Sequence, residues 1–218
     1  MFRVFVIGAT GGVGSRLAAQ LIERGDQVVG LHRRPEQAHA LESDGMEPVL
    51  GDLTSLGVDT LAACLEGADA VVFTAGASGA GPRQADAVDG QGVEIAATAA
   101  ATAGVRRFLL VSAFPDAWRD RRMPPNFEHY MKVKRQADVL LAATDLDWVI
   151  VRPGTLTNDP GTGHIRIGVA IPYGDVPRDD VAAVLTELVH QPQVNRIILE
   201  LTEGEVPIRE ALDTLEKS

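Results

Sequence analysis

The sequence predicts an α/β fold: a doubly wound parallel sheet of about seven strands in one domain over 1–218, with a small C-terminal elaboration on the ligand side. Three observations predict it. Short continuous runs of Val, Ile and Leu recur along the chain, as buried parallel strands require. Helical stretches separate them, and right-handed strand–helix–strand crossovers then stack the runs into one sheet. A glycine-rich turn joins the first run to the first helix.

The elements follow in order. Residues 2–7 read as the first strand and 12–25 as a helix that Gly25 stops. Strand 27–31, helix 35–44 and strand 47–50 come next. Helix 55–66 has Ser55 as its predicted N-cap and Gly67 at its end. Strand 70–74 leads into a long helix, 82–103, closed by Gly104. Strand 107–111, helix 127–144 and strand 148–151 continue the alternation. Helix 179–190, with Asp180 as predicted N-cap, strand 196–201 and a short helix near 207–216 complete it. Two stretches read as loops: 113–126, with Pro115, Pro124 and Pro125, and 153–175, rich in Gly, Pro and Thr. Both follow strands, so both should border a site beyond the strands' carboxyl ends.

Composition removes several function classes. The 218 residues are 45% hydrophobic and 23% charged, enough for a real core. A net charge of −10 disfavours non-specific attraction to nucleic acid or anionic membrane. No apolar run approaches the ~20 residues that cross a bilayer. The opening Met1-Phe2-Arg3-Val4 lacks a signal peptide's layout, and a cytoplasmic location is expected. The single cysteine, Cys64, lies in an apolar helical stretch and reads as a small buried thiol. His32, His39, His129, His164 and His190 show no metal-ligand spacing, so no metal is expected. Val111-Ser112-Ala113 lacks the glycines of a hydrolase elbow.

The strongest motif is Gly8-Ala9-Thr10-Gly11-Gly12-Val13-Gly14, placed between a buried strand and a helix. Glycines at 8, 11 and 14 permit a tight turn and close backbone approach to a pyrophosphate, whose charge then meets the first helical N–H groups. The second strand ends in His32-Arg33-Arg34 where a chain preferring NAD offers a carboxylate. Paired guanidiniums there match a 2′-phosphate, so NADP(H) is the expected cofactor. After the third strand, Asp52 has two readings, an acceptor for the adenine amino group beneath which Leu53 covers the ring, or an ordinary Asp-turn.

These residues, with Ala75-Gly76 after strand four, Gly104-Val105-Arg106-Arg107-Phe108, Val111-Ser112, Tyr130 with Lys134, Val151-Arg152-Pro153-Gly154 and Val176-Pro177-Arg178-Asp179-Asp180, resemble the short-chain dehydrogenase/reductase superfamily. The likeness is to its atypical NAD(P)H-binding branch near NmrA-like proteins, with a Rossmann-like sheet. It implies that Ser112 polarises a substrate carbonyl, that Tyr130 moves the proton, and that Lys134 holds the nicotinamide ribose and lowers the tyrosine's pKa. Positions i and i+4 share a helix face, which suits that pair. It also implies that Thr74, Ala75, Gly76, Pro153, Gly154 and Thr155 border the cofactor. The family's asparagine on the preceding helix has no match; Asp89 and Gln91 are nearest.

The expected function is an NADP(H)-dependent oxidoreductase acting on a small carbonyl or related unsaturated substrate. Two alternatives stay open: a non-catalytic NADP(H)-binding regulatory, redox-sensing protein, and an epimerase or dehydratase. The run Trp118-Arg119-Asp120-Arg121-Arg122-Met123 reads as a solvated loop, or as one that closes over an acidic substrate or protein partner. A homo-oligomer is equally compatible with the sequence.

Overall fold

The computed structural model describes residues 1–77, 79–114 and 122–215. Seven strands lie parallel: β1 (Arg3–Ile7), β2 (Gln27–His32), β3 (Glu47–Leu50), β4 (Ala70–Phe73), β5 (Arg107–Val111), β6 (Asp147–Pro153) and β10 (Ile197–Glu203). Two further strands fall inside the stretch read as a loop, β7 (Thr155–Thr157) and β8 (His164–Gly168), and a third, β9 (Asp175–Pro177), begins at its end. With β11 (Val206–Pro207), the main sheet has nine strands in the order β11-β8-β10-β6-β5-β4-β1-β2-β3, and β7 pairs with β9 separately.

The unforeseen strands have a physical reason. β8 lies between β10 and the two-residue edge strand β11, antiparallel to both, and of its residues only Ile165 is fully buried. In His164-Ile165-Arg166-Ile167 the isoleucines join the core while the polar residues face out, a pattern too short to read amid Gly and Pro. The inner parallel strands β1, β4, β5 and β6 lack such alternation because both faces are covered. Val4, Val6, Val72, Leu109 and Val149 pack toward α1 (Gly12–Glu23), α7 (Arg178–Val189) and α8 (Ile208–Asp213). Phe5, Ile7, Phe73, Phe108 and Ile150 pack toward α3 (Val58–Cys64), α5 (Gly92–Thr102) and α6 (Pro125–Ala142).

Two predicted caps are corrected. α3 starts at Val58 with Gly57 as N-cap, and Ser55 instead closes a turn on the Asp52 carbonyl. α7 is capped by Pro177, so Asp180 is already helical. Its buried carboxylate leaves the helix and accepts the N–H groups of Thr162 and Gly163, both at 2.9 Å. The predicted stops hold: Gly25, Gly67 and Gly104 follow α1, α3 and α5 with φ of +93°, +76° and +75°, a region that favours glycine.

The stretch from 35 to 44 is a 3₁₀ turn, Pro35–Gln37, followed by α2 (Ala38–Ser43). The long helix after β4 is also divided, into α4 (Pro82–Gln84), a π-helical segment Ala85–Gln91, and α5. Leu53 presses on Gly92, where a Cβ would lie 2.7 Å from its Cδ2, and Val133 presses on Gly90. The widened turn carries Asp89 inward, as π segments at functional sites commonly do. Among the described residues no helix is long and apolar enough to cross a membrane.

Candidate cofactor and active site

From β1 the chain winds outward through β2 and β3, then returns to β4 on the other side of β1. Such a reversal opens a crevice at the strands' carboxyl ends. Here a cleft of about 870 Å³ opens between the turn at Gly8 and Thr74. Thr74 ties the two strands at its floor, donating its hydroxyl toward the carbonyls of Ile7 (3.1 Å) and Gly8 (3.2 Å).

The glycine turn forms one wall. Gly8 has φ +96°, and a Cβ there would lie 2.5 Å from Ala75 N. At Gly14 a Cβ would stand 2.1 Å from the Gly8 carbonyl oxygen, so this glycine serves the packing of α1 on the turn and does not line the cleft. Gly11 caps α1 without a side-chain hydrogen bond, which leaves the first helical amides for a ligand. Thr10, Gly11, Gly12 and Val13 all border the cleft.

At the β2 end of the cleft, His32 is buried and its Nδ1 lies 2.9 Å from the Arg34 carbonyl, shaping the loop that carries Arg33 and Arg34. Both arginines are exposed and line the cleft. Asp52 closes an Asp-turn, accepting the Thr54 amide at 2.9 Å and hydroxyl at 2.7 Å, and these bonds hold its carboxyl below the usual range. It lines the cleft as well, with Leu53 beside it, so the two readings of Asp52 are compatible.

The opposite end gathers Ser112, Tyr130 and Lys134 in the same cleft. Tyr130, Lys134 and Asp138 occupy successive turns of α6 on one face. Lys134 is buried: its ammonium donates to the Val111 carbonyl (2.9 Å) and to Asp89 Oδ1 (3.2 Å). Asp89 also accepts the Ala77 amide at 2.9 Å. Of the two residues nearest to the unmatched asparagine, Asp89 is the one that meets Lys134. Burial pushes the Tyr130 phenol up; Lys134 pulls it down, while Asp89 and Asp138 push it up further. Lys134 lowers the phenol as expected, but the net direction is upward because desolvation and the two carboxylates outweigh it. Lys134 acts against both desolvation and the carboxylates that neutralise it.

Ser112 Oγ and Asp138 Oδ1 are buried and neither has a well-aligned hydrogen-bond partner among the described residues, yet the hydroxyl is near enough to pull the Asp138 pKa down. Burial outweighs that help and raises the Asp138 carboxyl, although Arg152 donates to Oδ2 from Nε at 2.8 Å. A rotated serine hydroxyl would close the pair. Neither Asp138 nor Arg152 was visible as a site residue in the sequence; the i+4 spacing from Lys134 was the available signal.

Thr74, Ala75 and Gly76 line the cleft, whereas Pro153, Gly154 and Thr155 do not. Gly154 meets the facing strand, where a Cβ would be 1.9 Å from Gly174 O, and Thr155 Oγ1 lies 2.7 Å from the Tyr173 hydroxyl. Leu156 and Arg178 line it instead. His129 is held at the surface by Asp86 (2.7 Å), and Cys64 is half-buried with its thiol pushed up by desolvation. The arginine-rich run lies outside the described residues for positions 115–121.

Relatives share this frame. The chain is 36% identical to the uncharacterized sugar epimerase YhfK of Bacillus subtilis, over 98% of this chain and 100% of that one. Among solved structures, a candidate NAD-dependent epimerase/dehydratase from Bacillus halodurans superposes with a TM-score of 0.88 at 32% identity, covering 100% of both chains. The oxidoreductase ylbE of Lactococcus lactis gives 0.86 at 27% identity, covering 99% of this chain and 97% of that one. A family model described as NAD(P)H-binding matches residues 8–192, and the chain belongs to that NAD(P)H-binding family.

Proposed function

We propose that the protein is a cytoplasmic NADP(H)-dependent oxidoreductase that reduces a small carbonyl or related unsaturated compound. The observation that carries the proposal is the joint placement in one cleft of the uncapped glycine turn, the exposed Arg33 and Arg34, and the Tyr130–Lys134 face. The cradle fits a dinucleotide: a chain with any side chain at Gly8 would have to displace Ala75. Arg33 and Arg34 would grip a 2′-phosphate. The reduced nicotinamide would supply the hydride. The Tyr130 phenol, held protonated by its raised pKa, would give its proton to the substrate oxygen. Lys134 would orient the nicotinamide ribose, with Asp89 fixing the ammonium in place.

The test is NADPH consumption across a panel of carbonyls and quinones, repeated with Tyr130→Phe. Loss of roughly 100-fold or more in kcat with NADPH affinity retained supports the assignment. An unimpaired variant removes Tyr130 as donor. No turnover anywhere in a broad panel favours a regulatory protein that binds the nucleotide without using it.

A second reading has its own support in the names of the Bacillus relatives, which speak of a sugar epimerase and an epimerase/dehydratase. In that reaction the nucleotide is reduced and reoxidised within one turnover. Product forms from a sugar nucleotide with no net NADPH consumed, which separates the two.

A further inference from the structure

We infer that Arg178 ties the β7 segment to the diphosphate of the bound nucleotide, so that cofactor binding fixes the substrate-side wall of the cleft. This rests on the nucleotide reading above. Arg178 is the first residue of α7 and its side chain crosses the gap between that helix and the glycine turn. A Cβ at Gly12 would lie 2.9 Å from its Cδ and 3.0 Å from its Nε, so the guanidinium stems against the start of α1. From the other edge, Nη1 donates to the carbonyls of Leu156 (3.2 Å) and Thr157 (3.0 Å) and to Asn158 Oδ1 (2.9 Å).

The charge is what marks this arginine. Its neighbours on α7 are already used: Asp179 pairs with Arg16 at 2.9 Å, and Asp180 holds the 162–163 backbone. Among the described residues no carboxylate lies within ion-pair distance of Arg178, unlike Arg16, Arg24, Arg106 and Arg152. Every hydrogen bond it makes among them leaves from Nη1. Arg178 lines the cleft, and of a guanidinium's five donors those on Nε and Nη2 are left for a ligand there. A planar cationic fork beside free helical amides matches a bridging diphosphate better than a neutral substrate. Because one side chain holds both β7 and the anion, the nucleotide and the strand wall are ordered together.

Binding of three probes to the full chain tests this: NADPH, NADH and 2′-AMP, which lacks the diphosphate. Arg178→Gln should weaken NADPH and NADH by a similar factor, about tenfold to hundredfold, and leave 2′-AMP unchanged. Arg178→Lys, which keeps the charge and loses the fork, should fall between. Hydrogen exchange adds a second readout: NADPH should protect amides of 155–163 in the wild type and not in Arg178→Gln. Unchanged NADPH affinity in both variants, equal weakening of 2′-AMP, or protection that survives Arg178→Gln overturns the inference alone. A wild type that binds neither dinucleotide overturns it together with the nucleotide reading.

Discussion

The ammonium of Lys134 is neutralised by the carboxylate of Asp89, 3.2 Å away, with both side chains almost wholly withdrawn from solvent. Such a pair is costly to break because one charge is then left buried alone. It also sets the electrostatics at Tyr130, where Asp89 opposes the lysine's pull on the phenol.

Asp89→Asn should therefore lower the Tyr130 pKa, because it removes one of the charges that push the phenol up against Lys134. The alkaline limb of the pH–rate profile should move to lower pH, and a tyrosinate absorbance titration should show the same shift. Asp89→Ala also strands the Ala77 amide, and a loss of roughly 3–5 kcal/mol in denaturant unfolding is expected.

Tyr130 gives a stability prediction with a defined sign. Its folded pKa is raised above the unfolded value near about 10, so the folded state prefers the neutral phenol. That preference contributes fully below the unfolded pKa and is lost as pH rises through the folded one. Tm should fall on going to strongly alkaline buffer, and Tyr130→Phe should fall less steeply over the same window. Equal slopes would remove the tyrosine from the account.

Arg33 and Arg34 face the cleft from an exposed loop, and the carboxylate nearest in sequence, Glu36, reaches Arg34 only at 3.5 Å. Replacing both with alanine should weaken NADPH by about tenfold or more while sparing NADH. Thermal shift with each nucleotide measures this directly, since ligand stabilisation follows affinity. Equal effects on the two nucleotides would assign the arginines elsewhere.

Arg107 sits at the far end of β5 from the cleft and tests the scaffold. It is buried, its pKa is pushed down to about 10 by desolvation, and it donates to the carbonyls of Leu188, Gln191 and Val194 at the C-terminal end of α7 and just past it. Leu188 and Gln191 keep backbone N–H donors without it, so Arg107→Met chiefly strands the Val194 carbonyl, and a loss of about 1–3 kcal/mol is expected in urea unfolding, with nucleotide affinity in the folded fraction unchanged.

Much of this molecule was written locally. The inner parallel strands β1, β4, β5 and β6 announced themselves as nearly unbroken apolar runs, because a strand covered on both faces needs hydrophobic residues at almost every position. The glycine turn was legible for the same kind of reason: Gly8 and Gly14 stand where the backbone of a neighbour leaves no room for a Cβ. Arg33 and Arg34 follow from counting along the second strand. The antiparallel strand β8 was not legible, since five residues with two inward isoleucines make too weak a pattern among glycines and prolines.

The sequence by itself determined the seven parallel strands, their winding and the position of the glycine-rich turn, because each depends on residues close together along the chain. Only the tertiary structure decided that Asp89 meets Lys134, that Asp138 lies behind Ser112, and that Arg178 rather than Pro153, Gly154 or Thr155 reaches the cleft. Those pairings join residues from different crossovers, and a π turn or a bend of a few ångströms changes which side chains meet. Charge compensation in a buried site is set by distance in space, and the chain's order carries no direct record of it.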